Sequence, residues 1–288
     1  MRPPDRVITA VAERRSAIID VIRHARESIV LSLFRCNDDE IFDELTQATK
    51  RGVRVEALIT SRAKGGKKKL RKLWTALEQT GAEVHPYTEP VVKYHAKYLV
   101  ADDGPAVVAS LNFTRKCFRR TCDALVVTYD PEVVSGLRAL IASDRHLAPL
   151  PAEVPPRLIV GPERARRQLT ALIESARKSI RLIDAKLSDP DLLTLLNAQR
   201  TAGITVEVFS SKQLGDLKSH GKVLLIDDRL AVVGSLALAA ISLGFRREVA
   251  IVVEEPDAIA EVQRLFQTLD AVPTTGRIGA ADAAGLTL

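Results

Sequence analysis

One set of histidine, lysine, serine and carboxylate occurs twice in this chain. His95 and Lys97 are followed by Asp102, Ser110 and Asp123, and His220 and Lys222 by Asp227, Ser235 and Glu248, the second Asp123-type carboxylate being a glutamate; every member of the second set lies 125 residues after its counterpart. Imidazole exchanges protons near neutral pH, and a nearby ammonium supplies positive charge for an anion. On a strand, His95 and Lys97 would point the same way, about 7 Å apart, leaving Ala96, Tyr98 and Val100 for the core face. A His-x-Lys pair by itself is most often a solvated strand face. Two copies with matched downstream residues are expected to meet at one site.

The elements that would position these sets repeat as well. A helix, strand, helix, strand series is read over residues 13–60 and again over 163–210. His24-Ala25-Arg26-Glu27-Ser28-Ile29 aligns with Ser175-Ala176-Arg177-Lys178-Ser179-Ile180, and Gly52-Val53-Arg54-Val55-Glu56 with Gly203-Ile204-Thr205-Val206-Glu207, both at an offset of 151. Glycine just past a helix suits a left-handed cap, and the β-branched residues that follow suit a buried strand. The offset falls to 125 before the histidines, so the first half carries 26 extra residues. This insert, residues 61–90, reads as a loop, a helix near 68–80 ended by Gly81, and a short strand through Val84. Three more elements follow each motif, over 106–110, 123–129 and 131–145, and over 231–235, 248–253 and 256–269.

At 288 residues, two domains are expected. Residues 1–147 form the first and 158–272 the second, joined by a Pro-rich linker at 148–157, and 273–288, rich in Gly, Ala and Thr, is expected to be a disordered tail. Alternating helices and short hydrophobic strands imply an α/β layered domain present twice, and similar halves pack about a pseudo-twofold axis. The composition, 46% hydrophobic and 27% charged, is that of a globular protein. No run approaches the length of a membrane span, and Met1 to Asp5 lacks the apolar core of a secretory signal, so a cytoplasmic protein is expected.

Three cysteines, Cys36, Cys117 and Cys122, make an odd number without repeat symmetry, which argues for reduced thiols. Cys117 and Cys122 lack a second pair or a nearby histidine to complete a metal site, so no metal is expected. The net charge of +6 implies an anionic partner. Lys64, Lys67, Lys68, Lys69, Arg71 and Lys72 equal that whole excess within ten acid-free residues, a landing patch for phosphate groups.

The two motifs resemble the signature of the phospholipase D superfamily: His-x-Lys, four residues, Asp, six residues, Gly-Ser-x-Asn, and a later acidic residue. The first copy has Ala109-Ser110-Leu111-Asn112, with Ala109 in place of Gly; the second has Gly234-Ser235-Leu236-Ala237, with Ala237 in place of Asn. The resemblance implies two phospholipase D-like α/β/α sandwich domains related by a pseudo-twofold axis, with the active site at their interface. It implies phosphodiester cleavage or transfer without metal or other cofactor, through a covalent phosphohistidine. His95 is then the nucleophile and His220 the acid that protonates the leaving alkoxide. Lys97 and Lys222 hold the phosphoryl oxygens, with Ser110, Ser235 and Asn112 as neutral donors, and Asp123 and Glu248 orient the imidazoles. Asp102 and Asp227 each begin a tight turn and are read as structural, capping local N–H groups.

The expected substrate is a glycerophospholipid, by head-group hydrolysis or by phosphatidyl transfer of the cardiolipin synthase kind, with Lys64, Lys67, Lys68 and Lys69 touching an anionic membrane. The alternatives are a metal-independent endonuclease on DNA or RNA and a binding scaffold with a decayed site. Aromatics are 4% of the chain, and Trp74, Tyr87 and Tyr94 are the available stacking platforms for nucleic acid. The duplication removes the need for a second chain to complete the site, so a monomer without an obligate partner is expected.

Overall fold

The computed structural model of the protein describes residues 2–62, 66–271 and the backbone of 277–278. The first half runs β1 (Arg6–Ile8), α1 (Arg14–His24), β2 (Ser28–Leu33), α2 (Asp39–Lys50), β3 (Arg54–Thr60), α3 (Lys67–Gln79) and β4 (Glu83–Tyr87). It continues through β5 (Lys93–Tyr94), β6 (Tyr98–Ala101), β7 (Ala106–Ala109), α4 (Arg115–Arg120), β8 (Thr121–Cys122), β9 (Leu125–Thr128) and α5 (Pro131–His146). The second half repeats the order with β10 (Leu158–Gly161), α6 (Ala165–Glu174), β11 (Ser179–Ile183), α7 (Pro190–Thr201) and β12 (Thr205–Phe209). After a hairpin of β13 (Gln213–Leu214) and β14 (Leu217–Ser219) come β15 (Val223–Ile226), β16 (Leu230–Gly234), α8 (Ala240–Phe245), β17 (Arg246–Val253), α9 (Pro256–Asp270) and β18 (Arg277–Ile278).

Each half builds one mixed sheet, ordered β1-β9-β7-β6-β2-β3-β4 in the first and β10-β17-β16-β15-β11-β12-β18 in the second. β2, β3 and β4 are parallel, as are β11 and β12, while the other neighbours in these two sheets are antiparallel. The central strands are buried on both faces, so they read as unbroken apolar runs such as Val223 to Ile226. Outer faces are covered by α1, α2 and α3 in one half and by α6, α7 and α8 in the other. The inner faces, with α5 and α9, share one continuous core in which Tyr94, Val108 and Val126 belong to the same cluster as Val233, Val249 and Phe266. The chain is thus two stacked α/β/α sandwiches with a common middle layer.

The insert forms α3 and β4. α3 stops where Gly81 takes a φ of +85°, and β4 extends the first sheet beside β3. Lys64 lies outside the described residues, as does most of the segment expected to be a disordered tail; within that segment Arg277–Ile278 instead pairs antiparallel with β12. Among the described residues no helix is long and apolar enough to cross a membrane.

The His-x-Lys motifs do not lie within single continuous strands. β5 ends at Tyr94 and pairs in parallel with β17 of the other half, whereas β6 begins at Tyr98 in its own sheet. β14 likewise pairs with β8 of the first half before β15 returns home. Each motif is therefore the crossover from the partner half's strand to its own, because the strands on either side belong to different sheets.

Candidate active site

The two crossovers bring both histidines to the seam between the halves, and each takes its carboxylate from the other half. His95 Nδ1 lies 2.5 Å from Glu248 Oε1, and His220 Nδ1 lies 2.9 and 3.1 Å from the Asp123 oxygens. With Nδ1 engaged, each ring leaves Nε2 for a reacting atom. Lys97 Nζ donates to the His95 carbonyl at 2.7 Å and lies 3.1 Å from His95 Nδ1, and Lys222 Nζ donates to the His220 carbonyl. Asn112 Nδ2 stands 3.5 Å from His220 Nε2, and its buried Oδ1 has no hydrogen-bond partner among the described residues.

The surroundings treat the two histidines differently. Burial, with Lys97, Arg246, Lys222 and Lys186 around it, holds the His95 imidazolium well below the usual histidine range, so the ring is neutral at pH 7. Burial raises the Glu248 carboxyl against the pull of Lys97. Burial also opposes charge on Asp123, but His220's charge and hydrogen bonds from His220, Thr121 and Ser110 outweigh it and hold the carboxyl below the usual range. Lys97 is pushed down to about 7, chiefly by burial, with Lys222 adding to the effect and Glu248 opposing it.

The Nε2 side opens into a cleft of about 700 Å³ whose lining includes His95, Asn112 and His220. Arg35, Lys69, Lys72, Arg115, Lys116 and Lys186 give it cationic walls, while Phe34, Phe42, Leu70 and Leu73 give it an apolar one. The insert thus reaches the site through α3. Phe34 packs on His95 with ring centroids 4.4 Å apart, and Lys97 Nζ lies 5.5 Å from the same ring centre. Sequence reasoning missed Phe34, Arg35 and Lys186. A signal was present for two of them, since Arg35 and Lys186 are related by the same 151-residue offset as the aligned segments.

Three expectations need correction. Ser110 and Ser235 are buried and do not face the cleft: Ser110 Oγ donates to Asp123 Oδ1 at 2.7 Å, and Ser235 Oγ to the Val249 carbonyl at 3.2 Å. Ser110 therefore holds a carboxylate, not a phosphate; in the second half Ser242 has that task, donating to Glu248. Asp102 and Asp227 are structural, yet the N–H groups they cap are not local. Asp102 accepts from Arg26, Glu27 and Ser28, and Asp227 from Arg177, Lys178 and Ser179, each fastening the start of β2 or β11. Finally, Cys117 does have a histidine nearby, supplied by the other half: Cys117, Asp123 and His220 place ligand-type atoms within 4.8 Å of one another. The Asp123 oxygens already accept from Ser110, Thr121 and His220, so the triplet is arranged as a hydrogen-bonded pair beside a thiol. All three cysteines are free and buried.

The glycines of the second motif, Gly221 between His220 and Lys222 and Gly234 before Ser235, have a packing origin. A Cβ on Gly234 would meet Ala250 Cα at 2.3 Å, and one on Gly221 would meet the Cys122 carbonyl at 2.5 Å. Tyr87 and Tyr94 are buried against each other, ring centres 4.8 Å apart, and Trp74 packs on the first-half core, so none is a free stacking platform.

Paired crossover motifs, carboxylates exchanged between stacked sandwiches and a cationic seam define a two-motif phospholipase D-like architecture. A family profile described as the PLD-like domain of cardiolipin synthase matches residues 18–145 and 198–269, and the chain belongs to the phospholipase D superfamily. It is 31% identical over 120 residues to a phospholipase D of Rickettsia bellii, a match covering 41% of this chain and 57% of that protein. Among solved structures, a phosphatidylserine synthase of Haemophilus influenzae superimposes with a TM-score of 0.69 at 14% identity, covering 94% of this chain and 87% of the other. A polyphosphate kinase of Porphyromonas gingivalis gives a TM-score of 0.74 at 17% identity, over 92% of this chain and 46% of that one. At these identities the structural likenesses establish the fold.

Proposed function

We propose that the chain is a phosphodiesterase or phosphatidyltransferase that acts on glycerophospholipids through a phosphohistidine on His95. The observation that carries the reading is the pair of histidines, each bonded to the other half's carboxylate, opening into one cleft that is part cationic and part apolar. His95 Nε2, neutral at pH 7, attacks phosphorus, and the P–O bond to the leaving alkoxide breaks. His220, oriented through Nδ1 by Asp123, protonates that alkoxide from Nε2. His220 then takes a proton from water or an alcohol, whose oxygen attacks phosphorus and frees His95. Lys97 and Lys222 bear the developing charge, and Asn112 offers an amide donor on the His220 side.

The lipid reading is supported by the apolar wall of Phe34, Phe42, Leu70 and Leu73. The burial of Tyr87 and Tyr94 speaks against the stacking that single-stranded nucleic acid requires. A nuclease is the second reading, favoured by four exposed cations on α4: Arg115, Lys116, Arg119 and Arg120.

Purified protein given labelled phosphatidylglycerol in vesicles, in the presence of chelator, should release or transfer a head group; single- and double-stranded nucleic acid should be left intact. His95→Ala should abolish an acid-labile phosphoenzyme. His220→Ala should slow turnover by roughly 10²- to 10⁴-fold, with partial recovery on a diester whose leaving group needs no proton. Activity that requires a metal, or that survives both substitutions together, would overturn the mechanism.

A further inference from the structure

α4 and α8 occupy equivalent places in the two halves, offset by 125 residues, and each has six residues with the middle two buried. The four exposed positions of α4 are Arg115, Lys116, Arg119 and Arg120; the four of α8 are Ala240, Ile241, Gly244 and Phe245. One helix is wholly cationic outside and the other wholly uncharged. Ile241 and Phe245 are 49% and 54% exposed and lie four residues apart, hence on one face. A Cβ on Gly244 would meet nothing within 4 Å among the described residues.

A third exposed apolar side chain joins it. Val91, 60% exposed, lies two residues before Lys93, which pairs in parallel register with Arg246, the residue after Phe245. The segments carrying Val91 and Phe245 therefore run side by side into the same strand pair. That pair leads to the site: Arg246 Nη1 lies 3.8 Å from Glu248 Oε1, and His95 follows Tyr94. Thus three of the five exposed large apolar side chains among the described residues gather at one lip of the seam. Arg115, Lys116, Lys69 and Lys72 line the cleft.

We infer that α8 and Val91 form a membrane-anchoring lip: Ile241, Phe245 and Val91 enter the acyl region of an anionic bilayer while the cations of α3 and α4 rest on its head groups. The charge pattern selects this occupant. An apolar lip bordered by lysine and arginine matches the acyl layer and anionic surface of a leaflet, whereas a polynucleotide has no use for Ile241 and Phe245. This inference rests on the lipid reading of the cleft, and it adds how a scissile phosphate held at the bilayer surface is delivered to His95.

The test uses the full chain and vesicles of phosphatidylcholine with or without phosphatidylglycerol. Wild type should sediment with the phosphatidylglycerol vesicles, and Phe245→Ser should weaken partitioning roughly 10- to 100-fold, as expected for one large apolar side chain left in water. Ile241→Ser/Phe245→Ser should lose activity on vesicle lipid yet keep wild-type activity on bis(p-nitrophenyl) phosphate, a soluble diester that needs no bilayer. Phe245→Trp should show blue-shifted emission quenched by brominated acyl chains, a readout independent of the serine variants. Equal partitioning of wild type and Phe245→Ser, or a dimer that the double variant dissolves without change in vesicle binding, would overturn the lip. Lipid turnover with no dependence on Phe245 removes the lip and leaves the proposed chemistry standing. Vesicle binding that depends on Phe245, with turnover of nucleic acid alone, does the reverse.

Discussion

The two halves of the seam differ in their rims far more than in their floors. Each floor has a crossover histidine, a lysine donating to that histidine's carbonyl, and a carboxylate borrowed from the other half. Around them, the first half places Asn112, basic α4 and the insert helix α3, while the second places Ala237 and uncharged α8. Duplication preserved what a phosphoryl group needs on both sides and let the approach to each side diverge. The asymmetry reaches the floor through electrostatics: Asp123 is held ionised by neutral and charged donors, whereas Glu248 is raised by burial beside a His95 that stays neutral.

The largest expected effect that would sharpen this contrast lies at the Asn112 and Ala237 positions. Asn112→Ala removes a side-chain amide that stands 3.5 Å from His220 Nε2, and kcat in a phosphodiesterase assay should fall by about 10²-fold, the usual loss for one such donor. Ala237→Asn should change kcat by no more than a few-fold. Its site is buried, and the neighbouring Ser242 hydroxyl is already bound to the Ala237 N–H and to Glu248. Comparable losses at the two positions would mean that the half-sites are equivalent.

Lys97 sets a smaller effect with a defined direction. Its ammonium is pushed down to about 7, so it loses its proton as pH rises through neutrality, and the phosphoryl oxygens lose that charge. His95 is neutral throughout this range and does not oppose the trend. The kcat/KM of wild type should therefore fall above about pH 7, approaching tenfold per pH unit. Lys97→Arg, which cannot deprotonate, should lack that limb even if its activity is lower at every pH. An unchanged alkaline limb in Lys97→Arg would assign it to another group.

Much of this site was legible in the sequence because the duplication doubles every signal. The two His, two Lys and two carboxylate positions share one offset, as do the first helix and strand pairs of each half. Which carboxylate serves which histidine was not legible, since the exchange depends on β5 and β8, strands of two residues that leave no periodic trace. Ser110 and Ser235 were misassigned for a related reason. Motif spacing places them near the histidines, but the direction of each hydroxyl is decided by which backbone and carboxylate groups are buried around it. Arg35, Lys186 and the exposed face of α8 sit in loops or a six-residue helix, where periodicity does not separate a cleft residue from a solvated one; for Arg35 and Lys186 the shared 151-residue offset is the one trace.

The smallest expected effect probes the crossovers themselves. In the first half the His95 N–H donates to the Arg247 carbonyl at 2.9 Å; in the second the equivalent acceptor, the Cys122 carbonyl, takes its hydrogen bond from Gly221, one residue later, at 2.7 Å. The closer approach explains why the middle residue of the motif is Gly221 in one half and Ala96 in the other. Gly221→Ala forces its methyl against the Cys122 carbonyl and within 3.1 Å of Asp123 Cα, both backbone atoms that cannot swing aside. It should destabilise the protein by about 1–3 kcal/mol, the range for overpacking a filled site, and lower turnover by moving the carboxylate that orients His220. Ala96→Gly creates no clash but removes a fully buried methyl as well as adding backbone freedom, and should cost about 1–2 kcal/mol. Turnover of the two variants side by side measures the difference, since only Gly221→Ala presses on the Asp123 backbone, and equal losses would show that the halves meet their partner strands with the same closeness after all.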